Sequence, residues 1–126
     1  MLHKILIVEG NKNSRTLLSD ILTFHGYEVS LAVDGQAGVA LARELMPDLI
    51  LMDIQMPGLD GMTAGSILKG DPVTSGLKII ALTTFVMHGD QGKILAAGFD
   101  GYLSMPICTR ELPGLINLWL GVERQS

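Results

Sequence analysis

Three polar side chains stand at the ends of aliphatic runs. Glu9 follows Ile5-Leu6-Ile7-Val8, Asp53 follows Leu49-Ile50-Leu51-Met52, and Thr83 follows Ile79-Ile80-Ala81-Leu82. Carboxylates crowded at one place repel each other unless a cation sits between them. A hard divalent ion with oxygen ligands meets that need, and Mg²⁺ commonly keeps water and shares a phosphate. A carboxylate can also act as a nucleophile and become an aspartyl phosphate. A hydroxyl such as that of Thr83 could then hydrogen-bond the new phosphoryl oxygens.

That chemistry needs elements that bring the three residues together. The aliphatic runs are short and continuous, without polar alternation, which suits strands covered on both faces in a parallel sheet. Tyr27–Ala32 and Gly101–Leu103 are weaker strand candidates. Helical patterns lie between the runs. Leu17, Leu18, Ile21, Leu22 and His25 share one helix face, with Asn13 or Ser14 as the expected start cap and Gly26 as the end. Gln36–Leu45 is a second helix, stopped by Pro47. Met62–Lys69 is a third, closed by Gly70-Asp71-Pro72. Gly89–Ala97 is a fourth, ended by Gly98. Leu112, Leu115, Ile116, Trp119 and Leu120 define a fifth, with Pro113 tolerated in its first turn. Five β-α repeats predict a single doubly wound α/β domain with a parallel sheet and helices on both faces. Ligands of such sheets bind beyond the carboxyl ends of the strands, where Glu9, Asp53 and Thr83 converge.

Composition narrows the field. A chain of 126 residues with 48% hydrophobic and 17% charged residues is one globular domain, expected over 1–121 with a loose tail at 122–126. A net charge of −4 argues against nucleic acid or an anionic membrane as the main partner. Cys108, the one cysteine, cannot form an internal disulfide. With no signal peptide and no run near the roughly 20 apolar residues of a membrane span, a cytoplasmic location is expected. Glu9-Gly10-Asn11-Lys12-Asn13 has neither the G-x-G-x-x-G spacing nor the P-loop Gly-Lys-Ser/Thr, which makes a nucleotide-cofactor binder remote.

Five landmarks in register resemble the response-regulator receiver domain, the phosphoacceptor module of two-component signalling. They are the strand ending at Glu9, Asp53 at the tip of the third strand, the Met56-Pro57-Gly58-Leu59-Asp60-Gly61 loop, Thr83, and Tyr102 three residues before Met105-Pro106. The resemblance runs from about Lys4 to Leu120. It implies a flavodoxin-like, five-stranded parallel sheet in order 2-1-3-4-5. It implies that Asp53 accepts a phosphoryl group from a histidine kinase or a histidine phosphotransfer protein. It further implies Mg²⁺ held by acidic residues after the first strand, by Asp53 and by the backbone carbonyl of Gln55. Thr83 and Tyr102 would be switch residues, coupling the site to a docking face of the fourth helix, fifth strand and fifth helix. A cis bond before Pro106 is implied as well. The implied module signals by protein contact and is not an enzyme.

Two positions depart from the family pattern. Gly10 stands where a second acidic residue is usual, and Met105 where a lysine is usual. One negative and one positive charge are lost together, so the formal charge of the site remains −2. The expectation is a compensated, degraded site with weak Mg²⁺ binding and slow or absent phosphorylation. The alternative is a pseudo-receiver that keeps fold and docking face and works without phosphate. His3, His25 and His88 share no metal-ligand spacing, and Cys108 reads as a small packing residue. Gly58 and Gly61 are expected as turn residues of positive φ.

Overall fold

The computed structural model describes residues 3–55, 58–83, 90–104 and 110–121. Its elements alternate along the chain: β1 (Lys4–Val8), α1 (Lys12–Phe24), β2 (Glu28–Ala32), α2 (Gly35–Leu45), β3 (Leu49–Asp53), α3 (Gly61–Gly70), β4 (Lys78–Thr83), α4 (Asp90–Ala96), β5 (Gly101–Ser104) and α5 (Leu112–Leu120). All strand pairs are parallel, in the order β2-β1-β3-β4-β5. The five expected strands and helices are all present, and their bounds move by a residue or two.

The continuous aliphatic runs now have a physical reason. β1, β3 and β4 are the three interior strands, so both of their faces are covered. Leu6, Val8, Ile50, Met52, Ile79 and Ala81 pack under Val39 and Ala42 of α2, Ala64 and Leu68 of α3, and Ile94 of α4. Ile5, Ile7, Leu49, Leu51, Ile80 and Leu82 face the other way, against Leu18 and Leu22 of α1 and Leu112 and Ile116 of α5. Burying one such side chain contributes about 1.5–3 kcal/mol. Truncating Leu51, which has no exposed surface, to alanine would therefore cost about 2–5 kcal/mol.

Side-chain caps start three helices at the carboxyl end of the sheet. Asn11 Oδ1 accepts from Ser14 N–H at 3.0 Å, Asp34 Oδ1 from Ala37 N–H at 2.8 Å, and Asp60 Oδ1 from Thr63 N–H at 2.8 Å. Each cap is worth about 1 kcal/mol. The first corrects the expectation of Asn13 or Ser14: α1 begins two residues earlier, and Ser14 supplies the capped N–H. Gly58 has φ +78, as a turn residue should. Gly61 does not have positive φ; it is needed for space, because a Cβ there would lie 2.0 Å from the carbonyl oxygen of Asp53.

Candidate functional site at the carboxyl edge of the sheet

Register brings the acid pair together. Val8 of β1 is paired with Met52 of β3, so the next residues, Glu9 and Asp53, emerge side by side. Strand alternation gives both the parity of the α1 and α5 layer. Asp53 is in turn paired with Leu82 of β4, and Thr83 follows it as the last residue of that strand. Tyr102 pairs with Ala81 and packs half-buried at the margin of the opposite layer. Thus Glu9 directly follows β1, while β3, β4 and β5 carry Asp53, Thr83 and Tyr102 respectively. Met105, Pro106, His88 and Cys108 lie outside the described residues, as do Met56 and Pro57.

The Glu9 carboxyl is 4% exposed and in hydrogen-bonding contact with that of Asp53. Its pKa is pushed from the ordinary 4.5 up to about 7, chiefly by burial and further by the neighbouring Asp53. Two groups oppose that rise. The Asn11 N–H donates to Glu9 Oε1 at 3.0 Å, and the Arg15 guanidinium favours the charged form. Arg15 Nη1 also donates to the Glu9 carbonyl oxygen at 2.8 Å. Neither Asn11 nor Arg15 stood out in the sequence. An asparagine three residues past a strand reads as a turn residue, and an arginine on the first turn of a helix reads as a solvated charge. Spacing was the available signal, since a residue on that first turn lies close enough to reach back to the strand end.

Asp53 is partly exposed. Its Oδ1 accepts from the Gln55 N–H at 2.9 Å, which fixes the side chain against the start of the following loop. Gly61 lets the first turn of α3 press against the Asp53 carbonyl from the other side. Thr83 is 1% exposed. Among the described residues no three His, Cys, Asp or Glu side chains form a metal-ligating group, so the acid set is the Glu9–Asp53 pair. Gly10 contributes no ligating side chain. The pair nonetheless suits a hard cation. Two carboxyls in contact, one of them buried and resisting ionisation, are the arrangement that a divalent ion relieves. Mg²⁺ commonly takes one or two carboxylates from the protein and fills the rest of its shell with water.

Comparison with known proteins agrees with this geometry. Residues 5–117 match the response regulator receiver domain. The polar-differentiation response regulator DivK of Brucella ovis is 37% identical over 121 residues, spanning 96% of this chain and 98% of the relative. The receiver domain of the sensor histidine kinase PA1611 from Pseudomonas aeruginosa, solved with a magnesium ion in its active-site cleft, superposes with a TM-score of 0.88. It is 35% identical and covers 96% of this chain and 99% of its own. A response regulator from Chloroflexus aurantiacus gives a TM-score of 0.90 at 28% identity, covering 96% and 99%. The chain belongs to the response-regulator receiver family, the signalling modules of two-component systems. Among the described residues no helix is long and apolar enough to cross a membrane.

Proposed function

We propose that this receiver takes a phosphoryl group on Asp53 and passes the signal on by protein docking. The observation that carries the reading is the Glu9–Asp53 pair that the β1–β3 register sets side by side at the sheet edge, with Asp53 partly exposed. An Asp53 carboxylate oxygen attacks the phosphorus of a phosphohistidine on a histidine kinase or phosphotransfer protein. The nitrogen–phosphorus bond breaks, the imidazole leaves and takes up a proton, and an acyl phosphate remains on Asp53. The Gln55 N–H steadies the nucleophile through Oδ1. Thr83 meets the phosphoryl oxygens, and Tyr102 relays the change to a target bound on α4, β5 and α5. Glu9, Asp53 and the Gln55 carbonyl would hold Mg²⁺, as the relative from Pseudomonas aeruginosa holds one in its cleft. Bound there, the ion offsets the repulsion between carboxylates and phosphate. With a net charge of −4 and a protein donor, the natural setting is the cytoplasm, with neither nucleic acid nor membrane as partner.

A second reading has its own support. Gly10 removes one acidic ligand and Met105 removes the usual lysine. Glu9 is also engaged by Asn11. On this reading the fold and docking face persist without phosphate chemistry.

Incubation with acetyl phosphate and Mg²⁺, followed by intact-mass measurement, separates the two. The expected result is a gain of one phosphoryl group, slow to accumulate and abolished by Asp53→Asn. No gain at any Mg²⁺ concentration would decide for the pseudo-receiver.

A further inference from the structure

Glu9 is gripped at both its backbone and its side chain. Arg15, part-buried on the first turn of α1, donates from Nη1 to the Glu9 carbonyl at 2.8 Å. The Asn11 N–H donates to Oε1 of the same residue. Asn11 Oδ1 accepts from the Ser14 N–H, so this grip is tied to the start of the helix. A guanidinium has five donors in a rigid fork and stays charged at every working pH.

We propose that Arg15 is a positioning residue of the acid site: it clamps the Glu9 carbonyl and so holds Glu9 beside Asp53 to receive a divalent cation. This rests on the receiver reading above and extends it to a residue that the acid pair alone does not include. The role makes a counter-intuitive prediction. A cation that merely sat nearby would repel Mg²⁺, and its removal would tighten metal binding. Removal of a clamp lets the β1–α1 loop loosen, and metal binding weakens. The two effects have opposite signs, so the direction of the change decides.

The test uses the full chain with Arg15→Met, Arg15→Gln and Arg15→Lys. Mg²⁺ is titrated by amide chemical shifts, and exchange of the Asn11 amide is followed without metal. In Arg15→Met the Mg²⁺ dissociation constant should rise roughly tenfold, the lower range for groups that orient a metal ligand. Its Asn11 amide should exchange faster. Arg15→Lys, which keeps a charged donor, should recover most of both effects. If Arg15→Met does not fold, Arg15→Gln gives the same comparison, because its amide is too short to reach the Glu9 carbonyl as the guanidinium does. Unchanged or tighter Mg²⁺ binding in the neutral variants overturns the proposal, as does unchanged Asn11 exchange. Should the wild-type chain bind no Mg²⁺, the receiver reading fails on its own account. Asn11 exchange then still judges the clamp: faster exchange reversed by lysine upholds it, and no change overturns it.

Discussion

Gly61 stands against the backbone of Asp53, with room for a hydrogen and nothing larger. A Cβ would fall 2.0 Å from the Asp53 carbonyl oxygen and 2.6 Å from Ile54 Cα. These neighbours are main chain and cannot rotate away. Gly61→Ala must push α3 or the end of β3 aside. It should cost about 1–3 kcal/mol in urea unfolding, the range for overpacking a tight site. It should also move the backbone amide signals of Asp53 and Gln55. A variant with wild-type stability and an unshifted Gln55 amide would refute this account of the glycine.

Glu9 makes stability depend on pH in an unusual direction for a carboxylate. Its folded pKa, about 7, lies above its ordinary 4.5. Between those values the folded state holds more protons than the unfolded chain, so stability falls as pH rises through that window and levels off above it. Without metal, the contribution is favourable near pH 5 and lost by pH 8. Its size should be on the order of 1–2 kcal/mol once residual solvent screening is allowed for. Paired urea titrations of wild type and Glu9→Gln isolate the effect. The glutamine variant should lose this slope, and an identical slope in both proteins would rule out Glu9 as its source.

Met46 ends α2 in the left-handed region, at φ +46 and ψ +61, while its N–H still bonds to the Ala42 carbonyl. A side chain in that conformation costs about 1–2 kcal/mol. Met46→Gly relieves it, less the extra entropy glycine loses on folding. The net gain should be a few tenths to about 1 kcal/mol, read as a higher urea midpoint with unchanged slope. Because Met46 lies at the amino end of the sheet, Mg²⁺ binding should not change. A lower midpoint would mean that the methionine's packing outweighs its backbone strain.

The compensated-charge reading of Gly10 and Met105 predicts a specific pattern of repair. Gly10→Asp alone should raise Mg²⁺ affinity. Met105→Lys alone should do less for metal binding. Both together should restore rapid labelling of Asp53 by acetyl phosphate. Labelling rates that are additive in the two single variants would show that the positions do not compensate each other.

How much of this was legible in the sequence depended on the kind of signal. β1, β3 and β4 announced themselves because two-sided burial leaves uninterrupted aliphatic runs. β2 and β5 lie at the sheet edges, where one side meets solvent or loops, so their patterns were weak and their bounds shifted. Glu9, Asp53 and Thr83 could be placed at one rim because a parallel sheet puts every carboxyl end on the same side. Asn11 was missed as a cap because Asn13 and Ser14 are equally good acceptors by type; only the chain path selects among them. Arg15 was missed because its partner is a main-chain carbonyl that no side-chain pattern records, and only its spacing from the strand end could have pointed to it. Gly61 looked like a φ requirement and is a space requirement, a distinction that needs the neighbouring strand. The left-handed Met46 could not be read at all, because methionine has no preference for that region.

The sheet separates two apolar masses that do not touch through it. By strand alternation, Glu9 and Asp53 hang from the α1–α5 side, while Thr83 has the parity of the α2–α3–α4 side. Any group held jointly by Asp53 and Thr83 is therefore a rivet through a laminate. It fastens one ply to the other at the rim, where alternate residues of adjacent strands serve opposite layers.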